Sequence, residues 1–314
     1  MQNDVTAGLT DCIRVGDCRS LLREYPDDFF SVCITDPPYN YEFIGPEWDE
    51  TEIERRLARV QESKTLVKNI PYGSGLAGGV RNKRWYERNR ENINNYREWC
   101  ASWADEVYRT LRVGAYILVF NSTRTVAHVQ VALENAGFYA RDILVYRRQS
   151  GIPKGFNAAA KLKKQGDEDW ELWKGWHSCL RNEWEAICLL QKPLVDNYMK
   201  TIRMSDVGLL HAEINDSGFL SNIIETYQRA KSADVGGHCT VKPLDLMEFL
   251  VRLTVPDHGD HVVLDPFAGT GTTCCAAKRL GHHYVGIEIS EKYAQVARER
   301  LECHGYPHQQ GTLF

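Results

Sequence analysis

Asp36, Pro37, Pro38 and Tyr39, followed by Asn40, stand at the end of an apolar run, Ser31-Val32-Cys33-Ile34-Thr35, that reads as a buried strand. A carboxylate and proline-stiffened carbonyls are hydrogen-bond acceptors held in fixed directions, and the tyrosine ring adds a stacking face. At a strand's C-terminal end such a set makes a site, because open α/β sheets bind ligands at that edge. A second strand, far downstream, ends in Asp265-Pro266-Phe267-Ala268-Gly269-Thr270-Gly271-Thr272-Thr273. Its glycines let the chain turn sharply from strand into helix and let a ligand touch bare backbone. The strand after it ends Val285-Gly286-Ile287-Glu288, where an acid is placed to accept from the two hydroxyls of a ribose. A dinucleotide fingerprint would carry glycine or alanine at position 274; Cys274 stands there instead, which argues against NAD and FAD. Taken singly, each piece has a plainer reading, a proline turn after a strand or an acid favoured by a helix dipole.

The elements that must position these residues alternate along the chain. Cys12 to Asp17 reads as a strand and Cys18 to Glu24 as a short helix leading into the Asp36 strand. From Tyr41 to about Asn92 the pattern is polar and irregular, a loop-rich excursion with one helix expected around Glu52 to Val60. A helix follows from Asn94 to Leu111, with Trp99, Trp103, Val107 and Leu111 at four-residue spacing. Then come a strand from Ala115 to Phe120, a helix from Thr123 to Ala136 ended by Gly137, and a strand from Arg141 to Tyr146. A polar, lysine-rich stretch from Gly151 to Lys174 breaks the alternation before the strand Glu185 to Leu190. Residues 194–240 show no clear periodicity and read as an inserted segment. Pro243 opens an amphipathic helix running to about Leu253. The last unit is the clearest: strand Val262 to Phe267, glycine turn, helix Thr272 to Leu280, strand Tyr284 to Ile289, helix Ser290 to Cys303. The whole predicts an α/β fold with a doubly wound, mostly parallel sheet.

Composition narrows the classes. The longest clean apolar stretch, Ala115 to Phe120, is too short to span a bilayer, and the polar start Met1-Gln2-Asn3-Asp4 lacks the regions of a signal peptide, so a soluble, cytoplasmic protein is expected. Several of the ten cysteines (Cys33, Cys188, Cys274, Cys275) fall inside apolar patterns, as free thiols in a reducing compartment do. No C-x-x-C spacing occurs, His282 and His283 cannot easily face one metal from a strand start, and no metal is assigned. The net charge is −4, yet seven basic residues against one acid lie between Arg141 and Lys164, and a second basic cluster, Arg81 to Arg90, includes Arg84, Trp85 and Tyr86. Basic stretches interleaved with aromatics suit a surface that tracks a nucleic-acid backbone; a solvated helix face or loop is the alternative.

Together, Asp36-Pro37-Pro38-Tyr39 and the Asp265 to Thr273 turn resemble the motifs of the DNA amino-methyltransferases, which use S-adenosylmethionine to modify exocyclic amines of adenine or cytosine. The resemblance runs from about Cys12 to Leu301, and Gly45-Pro46-Glu47-Trp48-Asp49 and Gly151-Ile152-Pro153-Lys154 resemble segments of phage and prophage members. It implies the sheet of an S-adenosylmethionine-dependent methyltransferase. It also casts Asp265, Phe267, Ala268, Gly269, Gly271 and Thr272 around the methionine part of the cofactor, with Lys242 of Val241-Lys242-Pro243 bordering the same moiety. Asp17, in Gly16-Asp17-Cys18, resembles the acid that recognises the adenine amine of the cofactor, with Cys18 beside it, and Glu288 takes the ribose.

The chemistry implied is methyl transfer to a poor nucleophile. The lone pair of an exocyclic amine is delocalised into the ring, and acceptors aimed at the amine hydrogens localise it. Asp36 is expected as the side-chain acceptor, beside the cofactor as well, with Pro37 as the backbone acceptor, Pro38 stiffening the turn, and Tyr39 stacking on a base rotated out of the duplex. Positioning donor and acceptor in line supplies much of the rate. The catalytic tetrapeptide precedes the glycine turn, which marks the family's beta arrangement. Residues 1–193 then form the catalytic half with an excursion at 41–92, 194–240 the target-recognition segment, and 241–314 the cofactor half.

The expected substrate is double-stranded DNA, with Arg84, Arg147, Arg148, Lys154 and Lys161 as phosphate contacts. A cognate restriction endonuclease and a homodimer are the further partners the resemblance allows, in a bacterial, archaeal or phage-infected cell. Adenine N6 is favoured over cytosine N4, although the aspartate form of the tetrapeptide serves both. A protein-glutamine or RNA methyltransferase would carry Asn-Pro-Pro-Tyr after the cofactor turn, and a catalytically silent DNA-binding subunit would not need Asp36 and Tyr39.

Overall fold

The computed structural model describes residues 8–39, 83–148, 155–213, 218–225 and 241–303. Its strands are β1 (Cys12–Val15), β2 (Phe30–Thr35), β3 (Leu111–Asn121), β4 (Tyr139–Arg147), β5 (Trp184–Gln191), β6 (Ile223–Ile224), β7 (Val262–Asp265) and β8 (His283–Glu288). Its helices are α1 (Cys18–Leu21), α2 (Lys83–Thr110), α3 (Val126–Asn135), α4 (Ala158–Gln165), α5 (Tyr198–Ser205), α6 (Leu244–Thr254), α7 (Thr272–Arg279) and α8 (Glu291–Cys303). All the strands join one sheet in the order β1-β8-β7-β2-β3-β5-β4-β6. The run from β1 to β3 is parallel; β5 is antiparallel to both β3 and β4, and β6 returns parallel to β4.

The sheet is buried on both faces, which is why its central strands read as unbroken apolar runs. Alternate residues of each strand serve opposite layers. Cys33, Ile117, Val119, Leu264 and Val285 pack with Trp103 and Val107 of α2 and with Leu133 of α3. Val32, Ile34, Leu118, Phe120 and Val263 pack with Leu246 and Leu250 of α6, Cys275 of α7 and Ala297 of α8. Each fully buried Val, Ile or Leu stabilises this arrangement by about 1.5–3 kcal/mol. Such a doubly wound sheet is the expected fold.

Several boundaries differ from the pattern reading, for physical reasons. Helix α2 begins at Lys83, well before Asn94. Among its described side chains the core-facing residues are Tyr96, Cys100, Trp103 and Val107, the stretch over which the four-residue spacing is read. Strand β3 begins at Leu111, which the four-residue spacing assigns to the helix. The lysine-rich break contains α4, capped by Asn157 Oδ1 accepting from Ala160 N and ended by Gly166 in the left-handed conformation. The segment after residue 194 contains α5, capped likewise by Asn197. Two turns of helix are too short to show a period. The helix expected around Glu52 to Val60 lies outside the described residues. No helix among the described residues is long and apolar enough to cross a membrane, and the cysteines among them are free thiols.

Candidate active site

Parallel pairing puts the C-terminal ends of β1, β8, β7 and β2 along one sheet edge, in that order. The residues that follow these four strands are therefore neighbours, though they come from both ends of the chain. Gly16 N donates to Glu288 O at 3.0 Å, which sets Asp17 beside Glu288. Thr35 Oγ1 donates to Asp265 Oδ1 at 2.7 Å, which ties the base of the tetrapeptide to the base of the glycine turn.

On the β7 side, the turn needs glycine. Gly269 has φ +52° and Gly271 φ +77°, and a Cβ on Gly271 would lie 2.9 Å from the Cβ of Ala297. The Asp265 carboxylate points inward: besides Thr35 it accepts from Thr273 Oγ1 at 2.6 Å and from Phe267 N at 3.2 Å. Burial pushes its pKa up to about 6, against those hydrogen bonds. Phe267 packs between Trp99 and Trp103 of α2, each ring centroid 5.4 Å away, and Ala268 N donates to Ile287 O. Thr272 opens α7. Glu288 accepts from Gly269 N at 2.8 Å and Ser290 N at 2.9 Å, and burial holds its pKa above the ordinary carboxylate value. Asp17 caps α1 through Arg19 N at 2.8 Å, and the Arg19 side chain beside it lowers its pKa. The Cys18 thiol is buried and pushed up to about 12.

On the β2 side, Asp36 and Tyr39 face each other, with Tyr39 OH donating to Asp36 Oδ1 at 2.6 Å. Burial, then the neighbouring Asp36 charge, raises the Tyr39 pKa well above its usual value, so the phenol stays protonated. Tyr96 OH donates to Pro38 O at 3.1 Å and accepts from Asn121 Nδ2 at 2.8 Å, which fixes the proline turn to α2 and β3. No donor meets the Pro37 carbonyl among the described residues. Lys242, almost wholly buried, donates to Asp36 Oδ2 and to Tyr39 OH at 3.1 Å, with its ammonium 4.8 Å from the Phe120 ring centroid. Its ammonium thus sits on the tetrapeptide.

Glu185 completes this cluster, and the sequence reading misses it. It is the second residue of β5 and 7% exposed, with Oε1 3.4 Å from both Tyr39 OH and Arg148 Nη1. The one signal for it in the sequence is an acid at the start of an otherwise apolar strand. Arg148, expected on phosphate, faces Glu185. Arg147 is exposed and pairs with Glu225 at 3.2 Å, while Lys161 is exposed on α4. Arg84 lies in the first turn of α2, and Lys154 lies outside the described residues. No group of His, Cys, Asp and Glu side chains among the described residues is arranged to hold a metal ion.

The arrangement has two compartments on one edge: a glycine-turned backbone with acids at the next two strand ends, and an Asp-Tyr-Lys-Glu cluster in which Lys242 and Glu185 are buried and Asp36 and Tyr39 partly so. The DNA methylase family matches residues 30–299. The chain is 30% identical over 309 residues to the Type II methyltransferase M.HindIII of Haemophilus influenzae, a match covering 93% of this chain and 96% of that protein. Its fold is similar to that of the M1.HpyAVI–SAM complex, with TM-score 0.53 and 18% identity over 92% of this chain and 98% of that one. It is similar also to the cytosine-N4-specific PvuII DNA methyltransferase, with TM-score 0.57 and 14% identity over 92% and 85% of the two chains.

Proposed function

The chain belongs to the N6/N4 DNA methylase family and is a DNA methyltransferase; from this premise we propose that it moves a methyl group from S-adenosylmethionine to the exocyclic amine of a base in duplex DNA, at adenine N6. The observation that carries this reading is the order of groups along the sheet edge. Asp17, the Gly269–Gly271 turn and Asp36 follow β1, β7 and β2, and Glu288 closes β8, so along the edge the order is Asp17, Glu288, glycine turn, Asp36. Three inter-strand steps span about 14 Å. An acceptor for an adenine amine, an acceptor for ribose hydroxyls, open backbone and an acceptor for the target amine thus succeed one another. That matches adenosine, methionine and substrate taken in line. The positive φ of both glycines leaves a bare turn there, and the acids on either side suit the ligand's hydrogen-bond donors.

The bound cofactor would supply an electrophilic methyl on a sulfonium; the remaining work falls to this chain. Asp36 accepts one amine hydrogen and the Pro37 carbonyl the other, which localises the nitrogen lone pair before attack. Tyr39, partly buried, and the buried Lys242 keep Asp36 oriented, and Tyr39 offers its ring to a base brought out of the duplex. The aspartate at position 36 serves either amine; adenine is the base we favour, the serine that would point to cytosine being absent there. Residues 194–240, between the catalytic and cofactor halves, are our target-recognition segment. Arg147 and Lys161 are our phosphate contacts. A cognate endonuclease and a homodimer belong to the same reading, in the cytoplasm of a bacterial, archaeal or phage-infected cell.

The test is nucleoside mass spectrometry of unmethylated duplex DNA incubated with protein and S-adenosylmethionine, alongside Asp36→Ala. N6-methyladenine that vanishes in the variant is the expected result. N4-methylcytosine would correct the base, and no methylated nucleoside with cofactor binding intact would sink the reading.

A further inference from the structure

The cluster around Asp36 contains one atom without a donor. Glu185 Oε2 is buried and has no hydrogen-bond partner among the described residues, although Oε1 has two donors near it. A buried carboxylate oxygen left so is costly unless some state of the protein pairs it. Two cations border this carboxylate: Arg148, whose Nη1 lies 3.4 Å from Oε1 and whose buried Nε has no partner among the described residues, and Lys242, whose Nζ lies 3.9 Å from Oε2 itself. That ammonium now donates to Asp36 Oδ2 and Tyr39 OH. It therefore sits between two carboxylates, bonded to one and a short movement from the other. While it holds Asp36 Oδ2, it occupies one of that oxygen's two lone-pair sites and draws off charge that an amine hydrogen would otherwise meet.

Resting on the reading of Asp36 as acceptor for the target amine, we propose that Glu185 is a positioning residue that takes Lys242 from Asp36 when the base enters, and that the ammonium then donates to the ring nitrogen beside that amine. Closing from 3.9 Å to a charge-assisted distance of about 2.8 Å needs only a small rotation of the lysine stem. The ammonium stays beside the Phe120 ring, which lies 4.8 Å away in the present arrangement. Both candidate bases present an amine N–H next to an unprotonated ring nitrogen, N6–H beside N1 in adenine and N4–H beside N3 in cytosine. Asp36 and Lys242 present the complement, an acceptor beside a donor. Thymine and guanine carry a ring N–H on that edge, which would face the ammonium donor to donor. The same pair that prepares the nucleophile therefore rejects bases that lack it, and rejection by an unpaired buried group is strong.

The experiment combines a mutant cycle with altered DNA. Glu185→Gln should lower kcat/KM for duplex DNA by about 10- to 100-fold, as loss of a charged hydrogen bond does. S-adenosylmethionine affinity, measured by calorimetry, should stay within about twofold, because Glu185 acts on the base side only. Added to Lys242→Met, the same change should cost less than about threefold. A duplex carrying 1-deazaadenine at the mapped site, or 3-deazacytosine if the product is methylcytosine, should lose about 10- to 100-fold with the natural enzyme. With Lys242→Met it should lose no more than the natural duplex does. If that variant turns over too slowly, binding of the two duplexes gives the same comparison. Additive losses in the cycle, or an equal deaza penalty with and without Lys242, would overturn the proposal. Failure of the natural enzyme to methylate natural DNA would instead overturn the reading beneath it.

Discussion

Thr35 Oγ1 donates to Asp265 Oδ1 at 2.7 Å, a bond between residues 230 positions apart that joins the last residue of β2 to the last residue of β7. Both residues are buried, so this contact sets the distance between the tetrapeptide and the glycine turn. Any ligand bridging the two compartments depends on it.

The Asp265 carboxyl makes stability depend on pH. Its folded pKa, about 6, lies above the ordinary 3.8, so the folded state holds the proton more tightly than the unfolded chain does. The stabilisation from the protonated form is complete below pH 3.8 and is lost as the pH rises through about 6. Two pKa units are worth on the order of 3 kcal/mol. Asp265→Asn should remove this dependence. Urea unfolding at intervals between pH 4 and 7 should show the natural protein losing ground against the variant as pH rises; parallel curves would contradict the assignment.

Gly271→Ala should weaken both fold and cofactor binding. The left-handed conformation costs a residue with a Cβ about 1–2 kcal/mol, and the new carbon would meet Ala297 Cβ at 2.9 Å. We expect a total loss of about 2–4 kcal/mol in urea unfolding and at least a tenfold loss of S-adenosylmethionine affinity by calorimetry. A variant with unchanged affinity would show that the turn does not touch the cofactor.

Tyr96→Phe removes the hydroxyl that links Pro38 O to Asn121 Nδ2. Leaving the buried Asn121 and the partly buried Pro38 carbonyl without this partner should cost about 1–3 kcal/mol of stability. Because the lost bond fixes the tetrapeptide's direction, kcat should fall more than the affinity for either substrate changes. Steady-state kinetics with DNA and with cofactor varied in turn separates the two.

Arg147 and Lys161 are exposed, whereas Arg148 is turned onto Glu185. Neutralising the first two to glutamine should lower the slope of log affinity against log salt by about 0.9 for each phosphate that no longer meets a cation. Arg148→Gln should leave that slope unchanged and lower kcat. A fluorescence salt titration with duplex DNA distinguishes them, and an unchanged slope in the Arg147 and Lys161 variants would remove both from the interface.

Local chemistry makes much of this molecule readable along the chain. The apolar runs of β2, β3 and β5 and the final β-α-β unit follow from residue alternation, and glycines at positions 269 and 271 announce a turn that no other residue adopts easily. Helices α4 and α5 are not readable, being two turns long, each capped by an asparagine and burying a single residue, Ala159 and Thr201. Within the candidate site, Asp36, Tyr39, Lys242 and Glu288 announce themselves through the motifs around them. Glu185 does not, because nothing beside it in sequence marks an acid at a strand start as anything but solvated.

Its place beside Lys242 arises because β5 runs antiparallel along β3, bringing the start of β5 to the edge where β2 and β7 end. The same nonlocal pairing turns the Asp265 carboxylate inward to Thr35 and Thr273, Arg148 toward Glu185, and Lys242 onto Asp36. Residue types and turn chemistry are properties of short segments and can be read one segment at a time. Which side chains meet is decided by the strand order that buries both faces of the sheet, and that order exists only once the chain has folded.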